Sequence, residues 1–155
     1  MTTTEAILGT IIFSCCALIY WFITRDYIKD IAFNATLWLY ENKKSTFSHI
    51  VCYNPYTVSL MKKQVNKELL KLEERGIVKK EGEDFILGDE ALKALFVTLL
   101  FRTSPRLVSP YFFANKFHMY IKDVEDILAE LAKDSFVFKE GRWYGVGENP
   151  QKMLL

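Results

Sequence analysis

Few residues in this chain are equipped for chemistry, and their spacing argues against catalysis. The two histidines, His49 and His118, are not accompanied by a set of Cys, Asp or Glu at metal-ligand spacing. Cys52 is isolated, and the adjacent Cys15 and Cys16 lie inside an apolar run, where they read as small packing residues. Three cysteines do not make a disulfide framework. The seven glycines form no phosphate-cradling loop and read as caps and turns. Asp123 and Asp126 are close in sequence, yet they belong to an amphipathic segment and read as a solvated face rather than an acid–base pair. The expectation is a protein that is not an enzyme, with no catalytic residue, metal or cofactor.

Binding chemistry is concentrated instead in residues 59–75. Lys62, Lys63, Lys67, Lys71 and Arg75 stand against Glu68, Glu73 and Glu74, a net charge of +2 with the acids confined to the second half. Lys63, Asn66 and Lys67 fall at i, i+3 and i+4 and so share one face of a helix. That face offers two ammonium groups for phosphates and an amide able to read adenine. With Lys79 and Lys80 just beyond, the candidate DNA contacts are Lys62, Lys63, Asn66, Lys67, Lys79 and Lys80, and the candidate partner is double-stranded DNA.

Residues 118–134 show the reverse balance. Lys122 and Lys133 stand against Asp123, Glu125, Asp126, Glu130 and Asp134, a net charge of −3 that phosphate would repel. Glu125 and Asp126, with Arg142, Trp143 and Tyr144 further on, are candidates for docking a protein partner or a second copy in a homodimer. Tyr111, Phe112, Phe113 and Phe117 add more aromatic surface than one small unit needs, so part of it is expected either in such an interface or in a core shared between units. The whole chain carries only +1, split as +4 over residues 1–80 and −3 over 81–155. No overall field would hold it on a polyanion, so contact with nucleic acid must be local.

These residues need elements to position them, and the first is an apolar run. Residues 6–24 contain no charge over 19 positions, a length of about 28 Å as a helix, which matches a bilayer core. Tyr20, Trp21, Phe22 and Tyr27 cluster at its end, Arg25 and Lys29 follow, and no Lys or Arg precedes it. The expectation is a single transmembrane helix over 6–24 with membrane lipid as a partner, the N-terminus outside and the C-terminal domain cytoplasmic. Lys43, Lys44, Lys62 and Lys63 would then lie near acidic headgroups.

Beyond the run the sequence repeats itself at an offset of 59. Ala32 and Ala35 match Ala91 and Ala94, Ser45 matches Ser104, Lys63 matches Lys122, and Val65, Leu69 and Leu72 match Val124, Leu128 and Leu131. Lys80-Glu81-Gly82 recurs as Lys139-Glu140-Gly141, and Phe85 returns as Tyr144. In the first copy, 31–42 and 47–53 read as helices, Asn54-Pro55 breaks the chain, and Val58, Met61, Val65, Leu69 and Leu72 stripe a long third helix that ends at Gly76. Residues 77–78 and 85–87 flank a polar stretch and read as a hairpin.

Three helices and a hairpin, closing on LLKLEERGIVKKEGEDFIL and more loosely on VEDILAELAKDSFVFKEGRWYGV, resemble the winged helix-turn-helix family, with Ser135 where the first copy has Gly76. The resemblance implies an α+β, mainly α fold of two tandem winged-helix units, 31–88 and 90–147, behind the transmembrane helix and followed by a tail over 148–155. It further implies a third helix that enters the major groove and a wing that touches phosphate. The family also includes protein-binding adaptors, so the resemblance leaves a membrane-anchored DNA-binding factor and a membrane-anchored docking protein both open.

Overall fold

The computed structural model describes the backbone of residues 3–53 and 59–155 and, within it, the side chains of 12–18, 30–51 and 62–155. The chain opens with α1 (Thr3–Asn42), then β1 (Lys44–Thr46), α2 (Phe47–Tyr53), α3 (Ser59–Glu74), β2 (Val78–Glu81) and β3 (Asp84–Leu87). The second half runs through α4 (Ala91–Thr103), α5 (Pro110–Phe117), α6 (Ile121–Lys133), β4 (Val137–Glu140) and β5 (Trp143–Val146), and ends in a 3-10 turn over Pro150–Lys152. The fold is mainly helical α+β, with three helices and a hairpin in each half.

The expected transmembrane helix does not stand, and with it falls the single-pass topology with its outward N-terminus and cytoplasmic domain. Among the described residues no helix is long and apolar enough to cross a membrane. The apolar run is not a separate element but the first part of α1, which continues unbroken for 40 residues through Asp30 and Glu41. Of the run's side chains, those of 12–18 are described. The side chains of Tyr20, Trp21, Phe22, Arg25, Tyr27 and Lys29, on which the orientation rested, lie outside the described residues, as do those of Cys52, Val58 and Met61 and the Asn54-Pro55 break.

The two hairpins keep the sequence offset to the residue: β4 and β5 begin and end 59 positions after β2 and β3. The helix ends that feed them also match. Gly76 (φ +69°) and Ser135 (φ +59°) both adopt the left-handed conformation. Ile77 N–H donates to the Leu72 carbonyl at 2.9 Å and Phe136 N–H to the Leu131 carbonyl at 3.0 Å, with Gly76 donating to Glu73 and Ser135 to Ala132. This pairing is the Schellman arrangement, which suits glycine because a side chain there is strained. Ser135 therefore holds the geometry of Gly76 at a cost of about 1 kcal/mol.

The offset fails in one place. β1 pairs antiparallel with β3, placing Ser45 opposite Phe85. In the second half the same role falls to a single bridge between Val108 and Tyr144, whose N–H groups donate to each other's carbonyls at 2.8 and 2.9 Å. Val108 lies 63 positions after Ser45, not 59, so Ser104 is not the structural counterpart of Ser45. α5 likewise starts 63 positions after α2.

Both halves share one core. α4 is buried at every position from Ala94 to Leu100 and lies against α1 and β5. Phe96 stacks on Phe113 at 4.4 Å between ring centroids and on Phe117 at 5.3 Å. Phe117 in turn meets Tyr40 of α1 edge-on at 5.1 Å, and the Tyr40 hydroxyl donates to the Phe117 carbonyl. Arg102 of α4 pairs with Asp30 of α1 at 2.6 Å and covers the Phe33 ring at 4.0 Å. The buried hydroxyls of Thr36, Ser45 and Thr98 have partners: Thr36 donates to the Ala32 carbonyl, Ser45 accepts from the Trp38 indole and Thr98 accepts from Leu155 N–H. Residues 148–155 are a clasp rather than a loose tail, since Met153 is buried and Arg75 donates to the carbonyls of Lys152 and Leu154 at 3.1 and 2.8 Å.

Two stability measurements follow from this packing. Phe117→Ala should cost about 3–5 kcal/mol in urea unfolding, and the wild type should unfold in a single transition with coincident fluorescence and circular dichroism midpoints, because the aromatic stack of the second half packs directly on Tyr40 of the first. Ser135→Gly should relieve the left-handed strain and leave stability unchanged or raised by up to about 1 kcal/mol, whereas Gly76→Ala should lower it by about 1 kcal/mol.

Candidate nucleic-acid interface

α3 buries Val65, Leu69 and Leu72, spaced three and four apart, and so leaves its opposite face to solvent. Lys62, Lys63, Asn66 and Lys67 are all exposed in its first half, and Leu70 continues the face at 51% exposure. Beside the helix stands the wing formed by β2 and β3. Strand alternation separates the two wing lysines. Val78 is buried, and Lys80, two residues on, lines a hollow between wing and helix together with Asn66, Glu83 and the hydroxyl residues Thr46 and Ser48. Its ammonium is 5.9 Å from the Phe85 ring centroid. Lys79 lies on the other face of the hairpin and is held 2.9 Å from Asp89.

Five of the six candidate DNA contacts thus gather on one surface, and Lys79 is drawn away from it. The remaining cations of the helix are occupied. Lys71 pairs with Glu68 at 2.7 Å, and Arg75 is turned toward the C-terminal clasp, where burial lowers its pKa and Glu68 partly offsets that shift. Lys62, Lys63, Lys67 and Lys80 pair with no acidic group among the described residues. Four ammonium groups around one amide, with two hydroxyl residues alongside, form a donor-rich surface suited to phosphate oxygens and to an acceptor on a base edge.

The hydroxyl residues were not legible in the sequence. β1 carries Thr46 to the hollow, and a strand of three residues is too short to show alternation.

The second half builds the same surface with other chemistry. α6 buries Val124, Leu128 and Leu131 and exposes Lys122, Glu125 and Asp126. Glu130 is held by Lys93 at 2.7 Å, and this hydrogen bond keeps the Lys93 pKa above its ordinary value against the opposing effect of burial. An equivalent hollow is lined by Tyr111, Glu125, Lys139, Arg142 and Tyr144. The candidate docking residues divide here. Tyr144 is a core side chain at 3% exposure, whereas Trp143 is 41% exposed with the Arg142 guanidinium 5.6 Å from its ring. The surplus aromatics divide in the same way, with Phe113 and Phe117 in the shared core and Tyr111 and Phe112 outside it.

The division has a direct consequence for stability. Trp143→Ala should change unfolding free energy by about 1 kcal/mol or less, while Tyr144→Ala should cost about 3–5 kcal/mol. Chemical denaturation of the two variants side by side checks the assignment.

No protein-family profile and no curated protein matches the chain. Among solved structures it is similar to the mRNA-binding domain of elongation factor SelB from E. coli, determined in complex with SECIS RNA, at 10% sequence identity and a TM-score of 0.35, over 78% of this chain and 98% of that one.

Proposed function

We propose that the two halves are copies of a winged-helix unit and that the protein binds double-stranded DNA through α3 and the wing of the first. The observation that carries this reading is the cluster of Lys62, Lys63, Lys67 and Lys80, exposed around Asn66 and without acidic partners among the described residues. A surface helix that is merely solvated tends to interleave its charges in i, i+4 pairs. The first half of α3 has no acid to interleave. An exposed helix face also favours DNA over duplex RNA, because the major groove of B-form DNA admits an α-helix and that of A-form RNA does not. The second half, with Glu125 and Asp126 in the corresponding positions, would not approach phosphate in the same way.

A second reading, a docking protein that binds another protein through its second half, is favoured by the exposed Trp143 and Tyr111 near Arg142. Aromatic and arginine side chains are frequent anchors of protein interfaces.

Salt titration separates the two readings. With two to four lysine–phosphate contacts, log affinity of the full chain for a DNA duplex should fall against log salt with a slope of roughly −2 to −4. Lys63→Glu combined with Lys67→Glu should abolish retention on DNA. Wild-type protein that shows no salt-dependent binding at low ionic strength would leave the docking reading in its place.

A further inference from the structure

The third helices of the two halves carry opposite net charge, and their wings differ in sign at one position. In the first half the helix is basic, with Lys63 and Lys67 exposed, and the wing carries Lys80 beside the exposed acids Glu81 and Glu83. In the second half the helix is acidic at Glu125 and Asp126, with Lys122 also exposed, and the wing carries Glu140 beside the exposed bases Lys139 and Arg142. At the offset of 59 the charge changes at three positions, Lys67 becoming Asp126, Asn66 becoming Glu125 and Glu83 becoming Arg142, while Lys63, Lys80 and Glu81 are kept as Lys122, Lys139 and Glu140. Two of these changes are also matched in space. Asn66 and Glu83 line the hollow between helix and wing in one half, and Glu125 and Arg142 line its counterpart in the other. None of Lys63, Lys67, Glu83, Glu125, Asp126 and Arg142 forms an ion pair among the described residues.

The geometry points to a contact between two copies of this chain, in which the α3–wing face of one meets the α6–wing face of the other, helix against helix and wing against wing. Lys63 and Lys67 then oppose Glu125 and Asp126, while Glu83 opposes Arg142. A face of one sign attracts any polyion, but a basic helix beside the wing acid Glu83 selects a partner with an acidic helix beside a wing base, and this chain supplies that partner itself. Two first-half faces would set lysine against lysine, so the contact is between unlike faces rather than a two-fold repeat of one face. Each face also offers an exposed apolar group for its centre: Leu70, 51% exposed, on the lysine side and Tyr111, 67% exposed, on the acidic side. The inference stands without the DNA reading. Where both hold, DNA and a second copy compete for Lys63 and Lys67.

Sedimentation of the full chain tests it. At low ionic strength the weight-average mass should rise with concentration above that of one chain, and about 0.5 M salt should return it to one chain. Lys63→Glu with Lys67→Glu, Glu125→Lys with Asp126→Lys, and Arg142→Glu alone should each weaken association roughly tenfold or more. An equimolar mixture of the two double variants should recover it, because each altered face finds its complement only on the other protein. A mass of one chain at every concentration, an association insensitive to salt and to these substitutions, or a mixture that does not recover would each overturn the proposal. The DNA reading is scored separately. The Glu125→Lys, Asp126→Lys variant keeps α3 intact and should still be retained on DNA, and failure of wild-type protein to bind DNA leaves the mass measurements unaffected.

Discussion

The stack of Phe96 on Phe113 and Phe117 is the contact on which the rest of the molecule depends. Phe96 lies on α4, the helix that begins the second half of the sequence, and Phe117 passes the contact on to Tyr40 of α1 in the first. A helix buried at every position across two turns has no solvent face to spare, so α4 reads as apolar without period and can only be the middle of a layered body. Because both halves close on it, the distance between their two wings is set by core packing. A flexible linker would have left that distance free.

Much of this arrangement could be read from the sequence. Val65, Leu69 and Leu72, and their counterparts Val124, Leu128 and Leu131, are spaced for one helix face and are all buried. The hairpins lie where the phrases around Gly82 and Gly141 put them. The failures have physical causes. Apolar length alone cannot tell a separate span from the beginning of a longer helix, and 6–24 is continuous with the helix that packs the core. Identity at an offset cannot detect a local insertion, so Ser45 aligns with Ser104 in sequence although Val108 does its work.

The candidate surface was legible on the helix and less so on the wing. Lys63, Asn66 and Lys67 share a face because helical spacing requires it. The two wing lysines are adjacent in sequence, and only the choice of which strand face meets the core sends Lys80 toward Asn66 and Lys79 toward Asp89. By sequence Arg75 belongs with the basic residues of the helix, but a carbonyl 77 residues away takes up its guanidinium. Contacts at that separation leave no trace in local pattern.

The unbroken course of α1 has a consequence of phase. A helix turns by about 100° per residue, so the exposed apolar side chains Ile12, Phe13 and Leu18 point in a direction fixed by the number of residues between them and Asp30. At Asp30 the helix is pinned to α4 through Arg102. The apolar segment is therefore clocked to the body like a key on a shaft. One residue inserted between 18 and 30 would swing it by more than a quarter turn relative to α3, with no change in composition.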